Sequence, residues 1–250
     1  MPRREIRLDP SIPLSAQPET GHNRWHPDIP PVLRCEPGDE VVMDTRDALD
    51  GPLNRDSSLA DLAKVDLGIV HPLTGPVYVE GAQPGDILVA EILEVIPPSF
   101  GFTVQLPGFG FLRDEFPDPH LVKWDLADGW ATSDDIPGVR VPGAPFMGVI
   151  GLAPSHELMA TISAREQALA ERGGVVLLPD VAGAVPSDPA IAGAALRTIP
   201  RGSTRATSTS SSSPPAPASS CRCGPRARSS PRGTPTSPKA TARRAARPSR

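Results

Sequence analysis

Large apolar residues disappear from this chain after Ile199: residues 201–250 contain no Val, Ile, Leu, Met, Phe, Trp or Tyr. Acidic residues stop in the same region, so all 29 Asp and Glu precede a final fifty residues that hold ten Arg and one Lys. The formal charge divides into roughly −15 on the body, residues 1–200, and roughly +11 on the tail. Such a tail has little to set against the entropy of ordering its backbone, roughly 1–2 kcal/mol per residue. Residues 201–250 are therefore predicted to be disordered.

Cysteine is also scarce. Of three, Cys35 lies in the body, and Cys221 and Cys223 lie in the tail one residue apart. A C-x-C pair with no second pair and no nearby His is weak as a metal motif, and the count excludes a disulfide-built secreted domain. Long hydrophobic runs are missing too. The opening "MPRREIRLDPSIPLS" has no apolar core of signal-peptide length, and no stretch approaches a membrane span. These absences predict a cytoplasmic protein with no membrane partner.

What is present is proline, 33 residues of it, and a succession of turn signals. The segment "GHNRWHPDIPP" carries His22, Trp25, His26 and Asp28, but Pro27, Pro30 and Pro31 forbid a helix there. "EPGDEVVMDT" (36–45) and "QPGDILVAEILEVI" (83–96) each pair a Pro-Gly-Asp turn with a β-rich apolar run. In "GPVYVEGA", Val77 and Val79 alternate with Tyr78 and Glu80 as in a half-buried strand, which predicts a hairpin with the run after Pro84-Gly85. "DSSLADLAKVDLG" (56–68) reads as a short helix capped by Ser57 or Ser58. "PFMGVIGLAP" (145–154) reads as a strand, and "ELMATISAREQALAER" (157–172) as a longer helix ended by Gly173-Gly174. The 250 residues thus divide into a mainly β, sandwich-like body with a few short helices, and a basic Ser/Pro/Arg-rich tail.

Five blocks then stand in order: "HNRWHPDIP" (22–30), "EPGDEVVMDTRDAL" (36–49), "VHPLTGPVYVEGAQPGDILVAEIL" (70–93), "MGVIGLAP" (147–154) and "LRTIP" (196–200). Together they resemble the acetamidase/formamidase family over about Arg7 to Pro200, closest to the formamidase branch through His-Asn-Arg-Trp-His. The resemblance implies a mainly β fold that assembles into homo-oligomers and hydrolyses small linear amides to a carboxylate and ammonia. It also implies a divalent metal, zinc in the first instance.

Residue by residue, the resemblance puts Asp47 at the family's acidic strand-end position, a metal ligand or polar site residue; the ordinary reading is a turn cap. Glu80 matches a recurring position and is a general base or a structural acceptor. His22 and Trp25 are read as walls of a substrate pocket, with loop hydrogen bonds and core packing as their ordinary alternatives. His71, His120 and His156 receive no role.

After "TIP" the family continues with Arg-Glu-His-x-Gly-Asn and later with Gly-Asp-x-His and Gly-Asp-Gly-Glu, all absent here. Read with each codon built from the third base of one tail codon and the first two of the next, residues 201–212 can encode R-E-H-A-G-N-V-D-V-K-Q. Residues 233–243 can likewise encode D-A-H-F-A-Q-G-D-G-E, and the intervening "SSCRCGPRARSS" can become a Leu-rich strand. A slip of reading frame near Pro200 accounts for the composition break and predicts a chain lacking most of its active site. The competing reading is a β-rich binding module whose basic arm touches nucleic acid or an acidic partner. No aromatic interleaves the tail arginines, which argues against nucleic acid.

Overall fold

The computed structural model describes residues 2–174, 176, 178–199, 205–206, 221–225 and 239–240. Strand β1 (Arg3–Ile6) opens the chain and is followed by β2 (Gly21–His22), β3 (Arg24–Trp25), β4 (Leu33–Cys35) and β5 (Glu40–Met43). A 3-10 helix (Leu59–Lys64) then leads to β6 (Leu73–Thr74), β7 (Val77–Val79) and β8 (Ile87–Ile92). Next come β9 (Phe100–Gln105), β10 (His120–Ala127), β11 (Trp130–Thr132), β12 (Arg140–Pro142) and β13 (Ile150–Gly151). Helix α1 (His156–Glu171), helix α2 (Pro189–Ala192) and β14 (Leu196–Arg197) complete the body. The protein is mainly β, as expected.

Both Pro-Gly-Asp turns close in the same way. Gly38 (φ 93°) and Gly85 (φ 102°) take the left-handed conformation, and the Asp side chain accepts from the backbone N–H three residues earlier. Those contacts are Glu36 N to Asp39 at 3.0 Å and Gln83 N to Asp86 at 2.8 Å. Ser58 and Asp61 cap the 3-10 helix reciprocally, which is why this sequence turns there. Ser155 Oγ accepts from Leu158 N at 3.1 Å to start α1, and Gly173 (φ 77°) follows its end. Met159 and Ile162 of α1 pack on Trp25 and Leu196, so one helical face closes over the β3–β14 pair. Burial of each such side chain contributes about 1.5–3 kcal/mol.

Two expectations need correction. The hairpin between 77–79 and 87–92 does not form: β7 runs parallel to β4, with Leu33 opposite Val77 and Cys35 opposite Val79. Gly81 (φ 74°) and Gly85 turn the chain twice between the two runs. Val79 is thereby placed against Cys35 and Val41, and β8 joins a different sheet. The strand expected over 145–154 shortens to Ile150–Gly151.

The four antiparallel strands β9–β12, spanning 100–142, went unanticipated. Asp128-Gly129, with φ of 51° and 76°, forms the two-residue turn between β10 and β11, where Ala127 faces Trp130.

The expected disorder of 201–250 falls largely outside the described residues. The described parts are strands: β15 (Arg205–Ala206) beside β13, β16 (Cys221–Pro225) between β5 and β8, and β17 (Lys239–Ala240) on the far edge of β8. These short stretches pair because β5, β8 and β13 present open ladder edges, which backbone N–H and C=O groups satisfy whatever the side chains. No described helix is long and apolar enough to cross a membrane.

Candidate functional site

The His-Asn-Arg-Trp-His segment lies in the interior, from His22 at 4% exposure to His26 at 6%. Asn23 is its anchor. Its Nδ2 donates to Ile69 O (3.1 Å) and Gly183 O (2.8 Å), while its Oδ1 accepts from Val185 N (2.8 Å). Arg24 donates to Asp180 O and Ala182 O, so a side chain from each residue pins the 180–185 loop. His22 Nδ1 donates to Arg24 O at 2.6 Å, and burial pushes the imidazole down to about 4, leaving it neutral at pH 7.

Three of the five blocks meet beside Asn23. His71 N donates to Thr198 Oγ1 at 2.7 Å, and Thr198 Oγ1 donates to His71 O at 2.8 Å, with Asn23 O a further 3.4 Å acceptor. The His71 ring lies with Nδ1 3.2 Å from Ala48 O, which brings in the block that contains Asp47. Arg197 stands directly opposite Arg24 on the paired strands β14 and β3. Burial first, then the facing Arg197 guanidinium, lowers the Arg24 pKa; burial also lowers that of Arg197.

The residues singled out from sequence do not form one cluster. Asp47 Oδ1 accepts from Leu49 N at 2.8 Å, so its turn-capping role is the one seen; burial raises its carboxyl above the ordinary range. Glu80 binds Arg34 Nε at 2.7 Å, while the Arg34 guanidinium lies 4.0 Å over the Tyr78 ring, an arrangement that suits a structural acceptor. Trp25 meets His22 edge-on at 5.6 Å and packs among Met159, Ile162 and Leu196. Two surface hollows, one of about 390 Å³ lined by residues such as Asp134 and Arg140 and another of about 500 Å³ around Phe109 and Phe116, include none of these residues.

A group that the sequence reading left aside does converge. His26, Asp28 and His156 each offer one ligand atom, all within 4.8 Å of one another, the one such set of three or more among the described residues. Two imidazole nitrogens and one carboxylate oxygen suit a divalent ion of borderline softness, so the chain does offer donors of the kind a zinc ion takes. His26 and Asp28 flank Pro27, but His156 is far along the chain. Only the folded helix α1 reveals its proximity, and no sequence spacing signals it.

A mainly β body, with four of the five ordered blocks drawn around a buried polar core, defines the class of scaffold. The chain belongs to the Acetamidase/Formamidase family, whose profile matches residues 7–208. It is 37% identical over 182 residues to an acetamidase of Mycolicibacterium smegmatis, covering 68% of this chain and 45% of that one. It is 41% identical over 151 residues to a formamidase of Methylophilus methylotrophus, covering 58% and 37% respectively. Among solved structures, a gamma lactamase from Delftia acidovorans superposes with a TM-score of 0.76 at 33% identity, over 82% of this chain and 54% of that one. The chain thus spans less than half the length of these two curated relatives.

Proposed function

We propose that the protein is built to hydrolyse small linear amides, formamide or acetamide, to a carboxylate and ammonia. The observation that carries this reading is the match of residues 7–208 to the Acetamidase/Formamidase profile, with relatives named acetamidase and formamidase at 37% and 41% identity. Amide hydrolysis needs a polarised carbonyl, a deprotonated water and a protonated leaving nitrogen. A divalent metal, when bound, supplies the first two. His26, Asp28 and His156 are the described groups whose chemistry suits one. Asn23, Arg24 and Thr198 hold the surrounding loops in place.

The proposal includes the frame slip near Pro200, and with it a chain deficient in catalysis as it stands. Two features support that. Strand β16 lies within the stretch that the shifted frame turns into a Leu-rich strand, and it occupies the slot between β5 and β8. Beside it, β8 leaves Ile87, Val89 and Ile92 at 38–48% exposure, although apolar side chains on a central strand ordinarily have a covering layer. The exposed Phe109, Phe111, Leu112 and Phe116 support a homo-oligomer. The cytoplasm, where thiols remain reduced, suits a body whose one cysteine, Cys35, is buried in the core. Ammonia release from formamide and acetamide by the 250-residue chain and by its frame-restored form tests the reading. Activity only in the restored form is expected, and activity in neither contradicts it.

A further inference from the structure

We propose that His26, Asp28 and His156 form a binding site for a single divalent metal ion of borderline softness, zinc or cobalt rather than magnesium or calcium. The inference concerns binding and holds whether or not the chain hydrolyses amides.

The three side chains arrive from two rigid sources. His26 and Asp28 flank Pro27 in a turn closed by Ile29 N donating to His26 O at 3.4 Å. His156 is the first residue of α1, whose start Ser155 fixes by capping. Asp28 bridges the pair: its Oδ2 lies 3.8 Å from His26 Nδ1, and its Oδ1 lies 3.3 Å from His156 Nε2. Neighbouring ligand atoms about a tetrahedral zinc, with bonds of about 2.0–2.1 Å to nitrogen, stand about 3.3 Å apart. The Asp28–His156 edge already has that separation, and the remaining two edges, within 4.8 Å, need a closing movement. The movable partners are the exposed ones, since the Asp28 and His156 side chains are 60% and 67% accessible while that of His26 is 5%. The two rings meet edge-on at 5.4 Å with 79° between planes, so neither stacks across the other's nitrogens.

The hydrogen bonding suits a metal. Asp28 N donates to His26 Nδ1 at 3.1 Å, so that nitrogen presents a lone pair rather than a proton, with Asp28 Oδ2 3.8 Å away. Coordination there would take the place of this single backbone contact. Two imidazole nitrogens beside one carboxylate favour zinc-like ions, because magnesium and calcium select oxygen donors. The exposed side leaves coordination positions for water. The positive end of α1 opposes a cation, but Asp28 and Glu157 place carboxylates in that same region.

The test uses the full chain, stripped with a chelator and titrated with Zn2+ by calorimetry and with Co2+ by visible absorption, without substrate. The expected result is one equivalent per chain, with cobalt d–d bands and no thiolate charge-transfer band. Cys221→Ser with Cys223→Ser should leave the titration unchanged. His156→Ala and Asp28→Asn alter exposed side chains and should each weaken binding by at least about tenfold, the loss that even supporting groups around a metal bring. His120→Ala, on exposed β10 surface, should leave binding unchanged. Unaltered affinity in His156→Ala, loss only on substitution of the tail cysteines, or no binding at all would each overturn the assignment. A protein that binds zinc as described and releases no ammonia after frame restoration would contradict the amidase reading and leave this site standing.

Discussion

Thr198 and His71 hold each other at two points: the His71 amide donates to the Thr198 hydroxyl at 2.7 Å, and that hydroxyl donates to the His71 carbonyl at 2.8 Å. Thr198 is fully buried. One side chain thus ties "LRTIP" to "VHPLT" across 127 residues of sequence, beside Asn23. Thr198→Val keeps the shape and removes both contacts. Each backbone group left unsatisfied costs about 1–3 kcal/mol, so the variant should unfold several degrees lower while Thr198→Ser stays within a degree or two. Differential scanning calorimetry reads this, and equal midpoints for Val and Ser would contradict it.

His22 gives a pH dependence with a definite sign. Its folded pKa, about 4, lies below its ordinary value of 6.5 because burial disfavours the imidazolium. Between those values the unfolded chain binds more protons, so stability is fully present above about pH 6.5 and is lost as pH falls toward 4. The full span is on the order of 3 kcal/mol. Urea unfolding at pH 4.5 and 7 should show the loss, and NMR should find the His22 ring neutral at pH 5.5. A His22 resonance titrating near 6.5 in the folded protein would contradict the account.

Asp47 carries the opposite shift. Burial raises its folded pKa, so its stabilising contribution is present at low pH and falls as pH rises through that raised value. Asp47→Asn keeps an oxygen for the Leu49 amide and removes the buried charge. It should be as stable as the parent or more so at pH 7, with the difference closing toward pH 4. Lower stability at pH 7 would contradict this. A drop in metal content, or in activity beyond tenfold, for the frame-restored protein with stability intact would establish the ligand role that the family resemblance implies.

Gly129 shows what was readable in the sequence and passed over. Asp128-Gly129 is a strong hairpin signal, and it stands between Leu126-Ala127 and Trp130-Ala131, where the chain does reverse. The alternation around it is poor because β11 and β12 are largely exposed, so periodicity gave no cue. Gly129→Ala, at φ 76°, should destabilise by about 1–2 kcal/mol, measured by urea unfolding. An unchanged midpoint would argue against the turn.

Local signals elsewhere were reliable because the physics there is local. Pro-Gly-Asp, Ser58 with Asp61, and Ser155 ahead of α1 each satisfy backbone groups within four residues. Pairings were less legible. Val77–Val79 chose Leu33–Cys35 over the nearer β8 because Val79 gains the Cys35 and Val41 surface, a preference set by distant residues. The candidate site divided in the same way. Asp47 and Glu80 stood out by position in the blocks but are held by Leu49 and Arg34, whereas His156 joined His26 and Asp28 only through the packing of α1. His22 and Trp25 were conspicuous as polar and aromatic residues in a Pro-rich stretch, yet both are buried.

The central claim is that residues 1–200 are the body of an amide hydrolase completed by a C-terminal segment read in another frame. The most direct measurement is steady-state ammonia release from formamide and acetamide by the 250-residue chain and by a protein restored to frame by a single-base change near the Pro200 codon. Catalytic groups acting as a unit fail together, so the account predicts turnover in the restored protein and at least a thousandfold less, roughly, in the chain as it stands. Equal kcat/KM in the two proteins, or no ammonia from either amide with a well-folded restored protein, would contradict it.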